Sequence, residues 1–235
     1  MSGHSHWASI KHKKGAADEK RGKVFSKISK MISIAAKQGG GDPEANSKLR
    51  LAVEQAKQAN MPKDNIERAI KKGTGELEGE KLEQVVFEAY GPGKTAIIIE
   101  GITDNKNRTL SEIKQILNQN KGKLADEGSV KWLFERKGAI IINKENTEEL
   151  ELIVIEAGAE DINEHDKFLE IYTKPEDLEK VKKNLEEKGI KPESVSLDWV
   201  AKENIENKEK EACEKLFEAL DNNDAVQDIY SNLKL

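Results

Sequence analysis

Apolar residues recur every three or four positions in three stretches near the start of the chain. Phe25, Ile28, Ile32 and Ala35 mark one side of a helix over 21–38. Gly39-Gly40-Gly41 ends it, because glycine tolerates the left-handed backbone of a helix terminus. Asp42 reads as the N-cap of a second helix, with Pro43 at its first position and Leu49, Ala52, Val53 and Ala56 as its stripe. A third, short helix follows Asn60-Met61-Pro62, with Ile66, Ala69 and Ile70 inward and Gly73 as its stop. Narrow, alanine-rich stripes of this kind suit a small helical bundle.

After a Gly/Glu-rich linker over 73–81 the period changes to that of strands. Val85–Tyr90 alternates, Gly91-Pro92-Gly93 signals a turn, and Thr95–Ile102 reads as a buried strand. A polar loop over 103–109 leads into a helix carrying Leu110, Ile113, Ile116 and Leu117, which Gly122 ends. Ser129–Phe134 reads as the next strand. The following residues have the order strand (139–143), helix (147–157), strand (161–164), strand (167–173), helix (175–188), strand (194–199), which is that of a ferredoxin-like fold. The segment ELELIVIE alternates like a strand, but Asn146 with Glu149 forms a capping box and favours helix. A final helix over 208–220 and a strand over 226–230 return to the sheet begun at Val85. The expected fold class is therefore α+β and multidomain. It comprises a flexible basic tail (1–20), an N-terminal helical bundle (21–75), an α+β middle domain (80–136 plus 204–235) and an inserted ferredoxin-like domain (137–203).

Charge changes the picture. The chain as a whole carries −5 and is 35% charged, which points to small domains with modest cores. Residues 1–75 hold 16 Lys+Arg against 7 Asp+Glu, and the remainder 23 against 37, so a net of +9 stands beside −14. A basic module facing a polyanion, with an acidic body open to a protein partner, accounts for that split. The candidate nucleic-acid contacts are Lys11, Lys13, Lys14, Arg21, Lys23, Lys27, Lys30, Arg50, Lys63, Arg68, Lys71 and Lys72. Lysines neutralise phosphates and release counterions, which gives affinity with little sequence readout. The competing reading is a solvated helix face. Trp7, in the basic tail, has no core there to join; stacking on a base, packing on a partner and docking back on its own protein are all open to it.

A second candidate is the loop Asp104, Asn105, Asn107, Arg108 and Thr109, which lies between a buried strand and a helix and could receive an anion or a partner. Capping is the plainer account: Asn107 or Thr109 would close the helix and Asp104 a turn.

Other chemistries find little support. Cys213 is the only cysteine, so no intrachain disulfide forms, which fits a reducing, cytoplasmic setting. His4, His6 and His12 lack companion carboxylates or thiols for zinc, and His165 sits in a turn. Gly93-Lys94-Thr95 resembles the end of a phosphate loop, but Glu88 occupies the place of its first glycine and a strand follows instead of a helix. No catalytic triad, metal or cofactor set emerges, so no enzyme is expected. No apolar run approaches the roughly 20 residues of a membrane span, and Met1–Gly22 has no apolar signal region.

Five runs together resemble the YebC family of DNA-binding regulators: GHSHWASIKHKKGAADEKRGKVFSK, KQGGGDPEANSKLRLAVEQAKQANMPKDNIERAIKKG, FEAYGPGKTAIII, TDNKNRTLSEIKQIL and GSVKWLFERKG. The resemblance covers essentially the whole chain. It implies a helical domain, an α+β domain with a ferredoxin-like insert, nucleic-acid binding and transcriptional regulation. Action on RNA or the ribosome, as a translational activator, is the alternative it carries. Lys94 stands where the family usually has a second glycine.

Overall fold

Three helices open the computed structural model, which describes residues 5–6, 18–143, 148–165 and 168–234. They are α1 (Asp18–Gly39), α2 (Ser47–Gln58) and α3 (Lys63–Thr74). Their buried side chains are those of the periodic stripes: Ile28, Ile32 and Ala35 meet Leu49, Ala52, Val53, Ala56, Ile66 and Ala69. Burying such a face supplies most of the stability of short helices.

Two boundaries differ from the sequence expectation. Asp42 does not cap α2; its carboxylate accepts the Glu44 N–H at 2.9 Å in a local turn. Asn46 is the cap. Its Oδ1 accepts the Leu49 N–H at 3.1 Å, while its Nδ2 donates to the carbonyls of Ala35 (2.8 Å) and Gly40 (2.9 Å). An aspartate could accept but not donate, so only an amide joins the end of α1 to the start of α2. Nor does Gly73 stop α3, which runs on to Gly75 at φ +84°.

Gly73 instead lets two helices touch. A Cβ there would overlap the Ser33 carbonyl oxygen and lie 2.7 Å from the Ala36 Cβ. Beside it the Ser33 hydroxyl donates to the Ala69 carbonyl at 2.8 Å. Alanine gains about 1 kcal/mol of helix propensity over glycine, but overpacking against a backbone oxygen costs more. Gly73→Ala is expected to lower the unfolding free energy by about 2 kcal/mol in urea. A variant as stable as the parent would contradict this close approach.

A five-stranded sheet follows. Its strands β2 (Glu83–Tyr90) and β3 (Ala96–Thr103) form an antiparallel hairpin from Glu83↔Thr103 to Tyr90↔Ala96. The strand β9 (Val226–Ser231) pairs along the other side of β3. The short strands β1 (Ser5–His6) and β4 (Lys123–Leu124) lie at the two edges, which gives the order β1-β9-β3-β2-β4. Ile97, Ile98 and Ile99 in the central strand are fully buried, which is why β3 reads as a continuous apolar run. The helices α4 (Lys106–Gln119) and α7 (Lys210–Asp221) bury Ile113, Leu117, Leu216 and Phe217.

In the hairpin turn Gly93 and Lys94 both have φ 62°. The left-handed region costs a residue with a Cβ about 1 kcal/mol or more. Lys94→Gly is therefore expected to raise the unfolding free energy by about 1 kcal/mol, visible as a later urea midpoint. An unchanged or earlier midpoint would show that the turn tolerates its lysine.

Ser129–Phe134 is not a strand. A 3₁₀ turn spans Lys131–Leu133, and the strand β5 (Phe134–Asn143) begins only at Phe134. The cause lies in β2. Glu88, 5% exposed, accepts the backbone N–H groups of Gly128 (2.6 Å), Val130 (2.6 Å) and Lys131 (2.8 Å). Donors that a ladder would need converge on one carboxylate, so the segment curls around it.

Residues Trp132–Glu206 form the main body of a second compact unit. Its elements are β5, α5 (Glu148–Ala157), β6 (Asp161–Glu164), β7 (Phe168–Thr173), α6 (Leu178–Glu187) and β8 (Ser194–Ala201). The antiparallel order β6-β7-β5-β8 is ferredoxin-like. The ambiguous ELELIVIE segment is helical, with Leu150, Val154 and Ala157 buried at helical spacing against Ile140, Ile171 and Val181.

Candidate nucleic-acid interface

The helical domain separates its cations into two kinds. On α1, Lys27 forms an ion pair with Asp221 at 2.9 Å and also donates to the Asp221 carbonyl at 2.8 Å. One turn on, Lys30 donates to the Asp224 carbonyl at 2.9 Å. Both ammonium groups are thus spent on holding α1 against the end of α7. Arg50 donates to the carbonyls of Pro43 (3.2 Å) and Glu44 (3.4 Å), bracing the turn before α2. Lys63 lies 3.5 Å from Glu67, one helical turn away, but its side chain is 87% exposed and stays open to solvent.

The second kind faces solvent. Lys23 on α1 and Arg68, Lys71 and Lys72 on α3 are exposed. Arg68, Lys71 and Lys72 are spaced i, i+3 and i+4, so α3 presents them on one side. Lys71 and Lys72 also lie in the last turn of α3, where cations suit the negative end of the helix dipole. That structural role does not account for Arg68. Lys11, Lys13, Lys14 and Trp7 lie outside the described residues, as does the side chain of Arg21.

The loop after β3 is built from internal hydrogen bonds. Helix α4 starts at Lys106, so Asn107, Arg108 and Thr109 belong to its first turn. The cap is Asn105, whose Oδ1 accepts the Arg108 N–H at 3.1 Å. The Thr103 hydroxyl accepts from the Asn105 N–H and from the Thr109 hydroxyl, both at 2.9 Å. The Arg108 guanidinium pairs with Asp104, and its Nε lies 3.8 Å from Glu112. A hydrogen bond from its own amide, with Arg108 and then Lys30 nearby, holds the Asp104 carboxyl below its ordinary value. An incoming anion would meet that carboxylate, and the capping geometry uses each of these side chains except Asn107.

Cys213 is fully buried, 3.4 Å from the Thr95 hydroxyl, and burial pushes its thiol up. That is the setting of an inert structural cysteine. Among the described residues no group of His, Cys, Asp and Glu converges as a metal cage, and no helix is long and apolar enough to cross a membrane. Sequence reasoning misses the anchoring role of Lys27 and Lys30, for which no local signal exists.

A helical domain with an exposed cationic side, joined to an α+β domain and a ferredoxin-like unit, defines a multidomain protein of the polyanion-binding class. The model described as the TACO1/YebC protein N-terminal domain matches residues 5–76, and that of the TACO1/YebC second and third domain matches residues 82–233. The chain belongs to the TACO1/YebC family. It is similar to a "Probable transcriptional regulatory protein" of Halothermothrix orenii, with 51% identity over 100% of this chain and 96% of the relative. A protein of the same description from Syntrophotalea carbinolica is 49% identical over 100% and 96%. The crystal structure of a conserved hypothetical protein from Aquifex aeolicus superposes with a TM-score of 0.90 at 46% identity, covering 97% of this chain and 96% of that one.

Proposed function

We propose that this protein is a cytoplasmic, non-catalytic regulator of transcription that binds DNA through its helical domain. The observation that carries the reading is the exposed Arg68–Lys71–Lys72 side of α3, on a segment with a net charge of +9. The descriptions of its relatives as transcriptional regulatory proteins support it. Lys23, with Lys11, Lys13 and Lys14 of the N-terminal segment, would extend the contact along the phosphate backbone. The acidic remainder would keep the protein from wrapping duplex and would leave a surface for a basic protein partner.

The test is a titration of fluorescent duplex DNA and of structured ribosomal RNA at two salt concentrations, with the intact chain and with Lys23, Arg68, Lys71 and Lys72 changed to Glu. Tight, salt-dependent duplex binding that the variant loses supports the proposal. Preference for the RNA would move the protein to translation, and absence of salt-dependent binding to either would overturn the basic interface altogether.

A further inference from the structure

Helix α5 is apolar on more sides than its own sheet can cover. Among its ten residues are Leu150, Leu152, Ile153, Val154, Ile155 and Ala157. Leu150, Val154 and Ala157 are buried in the core of the ferredoxin-like unit, and Ile153 is half-buried. Leu152 and Ile155, three positions apart, share the outer side of the helix and are 63% and 58% exposed. A helix with apolar residues all round is ordinarily buried all round. Here one side stays open to water.

The charges beside the pair select what would cover it. Glu151 and Glu156 are exposed on the same side; Glu151 lies one turn before Ile155, and Glu156 one turn after Leu152. The helix holds four glutamates and no lysine or arginine. Residues 132–206 as a whole hold 11 Lys+Arg against 20 Asp+Glu. Lys188, just past the end of α6, pairs with Glu156 at 2.6 Å, yet the Glu156 side chain stays exposed. Nucleic acid would be repelled by these carboxylates, and a second copy of the chain would set the same glutamates against them. A helix that carries apolar side chains at matching spacing, with Lys or Arg beside them, satisfies both the apolar pair and the charge.

We infer that the outer side of α5 is a docking surface for a basic amphipathic helix of a partner protein, with Leu152 and Ile155 as anchors and Glu151 and Glu156 as the charges that guide it. It rests on the reading, proposed above, that the acidic remainder takes a basic partner, and it names the surface. Burial of the two anchors supplies most of the affinity, while the glutamates speed encounter and set the salt dependence.

The experiment uses the full chain and short labelled helical peptides. One has leucines along one side and lysines on the rest; in the second the leucines are replaced by alanine, and in the third the lysines by glutamate. Only the first should bind tightly, and added salt should weaken it. Leu152→Ala or Ile155→Ala is expected to lower its affinity about tenfold. Both positions are exposed and alanine favours helix, so these variants should keep the parent's urea midpoint. Glu151→Gln combined with Glu156→Gln should weaken binding and flatten its salt dependence. Binding of the leucine–lysine peptide that survives Leu152→Ala and Ile155→Ala together overturns this surface and leaves the basic-partner reading standing. Absence of binding to any chain overturns both. A parent that dimerises in sedimentation, beside an Ile155→Ala chain that does not, would give the surface to a second copy and overturn the basic occupant.

Discussion

A chain carrying Lys23→Glu, Arg68→Glu, Lys71→Glu and Lys72→Glu is expected to bind duplex DNA about a thousandfold more weakly at moderate salt, at about 1 kcal/mol per phosphate left without its cation. All four side chains are exposed, so their removal leaves no buried group unpaired. The slope of log affinity against log salt should fall by about one for each phosphate no longer neutralised. Glutamates in the last turn of α3 oppose the helix dipole and cost up to about 1 kcal/mol each, so binding is measured well below the unfolding midpoint. Lys27→Ala and Lys30→Ala provide the contrast. Their ammonium groups are engaged with Asp221 and Asp224, so these changes should lower stability and leave the salt slope unaltered. Equal slopes for the fourfold variant and the parent would remove α1 and α3 from the interface.

Glu88→Ala is expected to lower the unfolding free energy by about 3 kcal/mol, because three backbone donors lose a shared, charged acceptor. The effect carries a pH signature. Burial pushes the Glu88 carboxyl up, but the N–H groups of Gly128, Val130 and Lys131, with the charge of Lys131, outweigh it and bring the group below its ordinary value of 4.5. A carboxyl depressed in the folded state contributes stability that is fully present above its unfolded value and is lost as pH falls through the folded value. The gap between parent and Glu88→Gln should therefore be constant at neutral pH and close as pH falls below 4.5. Urea titrations of both chains across that range decide it; a gap independent of pH would mean that the Glu88 charge is not what holds residues 128–131.

Much of the fold was legible in the order of residues because it rests on local rules. The stripes of α1, α2 and α3 followed from spacing, since a helix places i, i+3 and i+4 on one side whatever surrounds it. The βαββαβ order followed from alternation, turn residues and one capping box. The errors fell where a long-range partner chose between local options. Asp42 and Asn46 are both competent caps, and only the carbonyls at the end of α1 favour the amide. Gly73 and Gly75 both read as stops, and the approach of α1 makes the first a packing glycine. Ser129–Phe134 alternates acceptably for a strand until Glu88, from a different part of the chain, gathers its amides.

Fold class and the concentration of positive charge in the first 75 residues follow from the chain alone, because periodicity and charge are written into it. Which cations remain open to a ligand is settled only once the elements pack. Lys27 and Lys23 are one helical turn apart and indistinguishable by pattern, yet Lys27 is joined to Asp221 across 194 positions while Lys23 faces water. The exposure of Trp132 is of the same kind, because it depends on where β5 begins, and a buried carboxylate on β2 draws the preceding residues out of any strand.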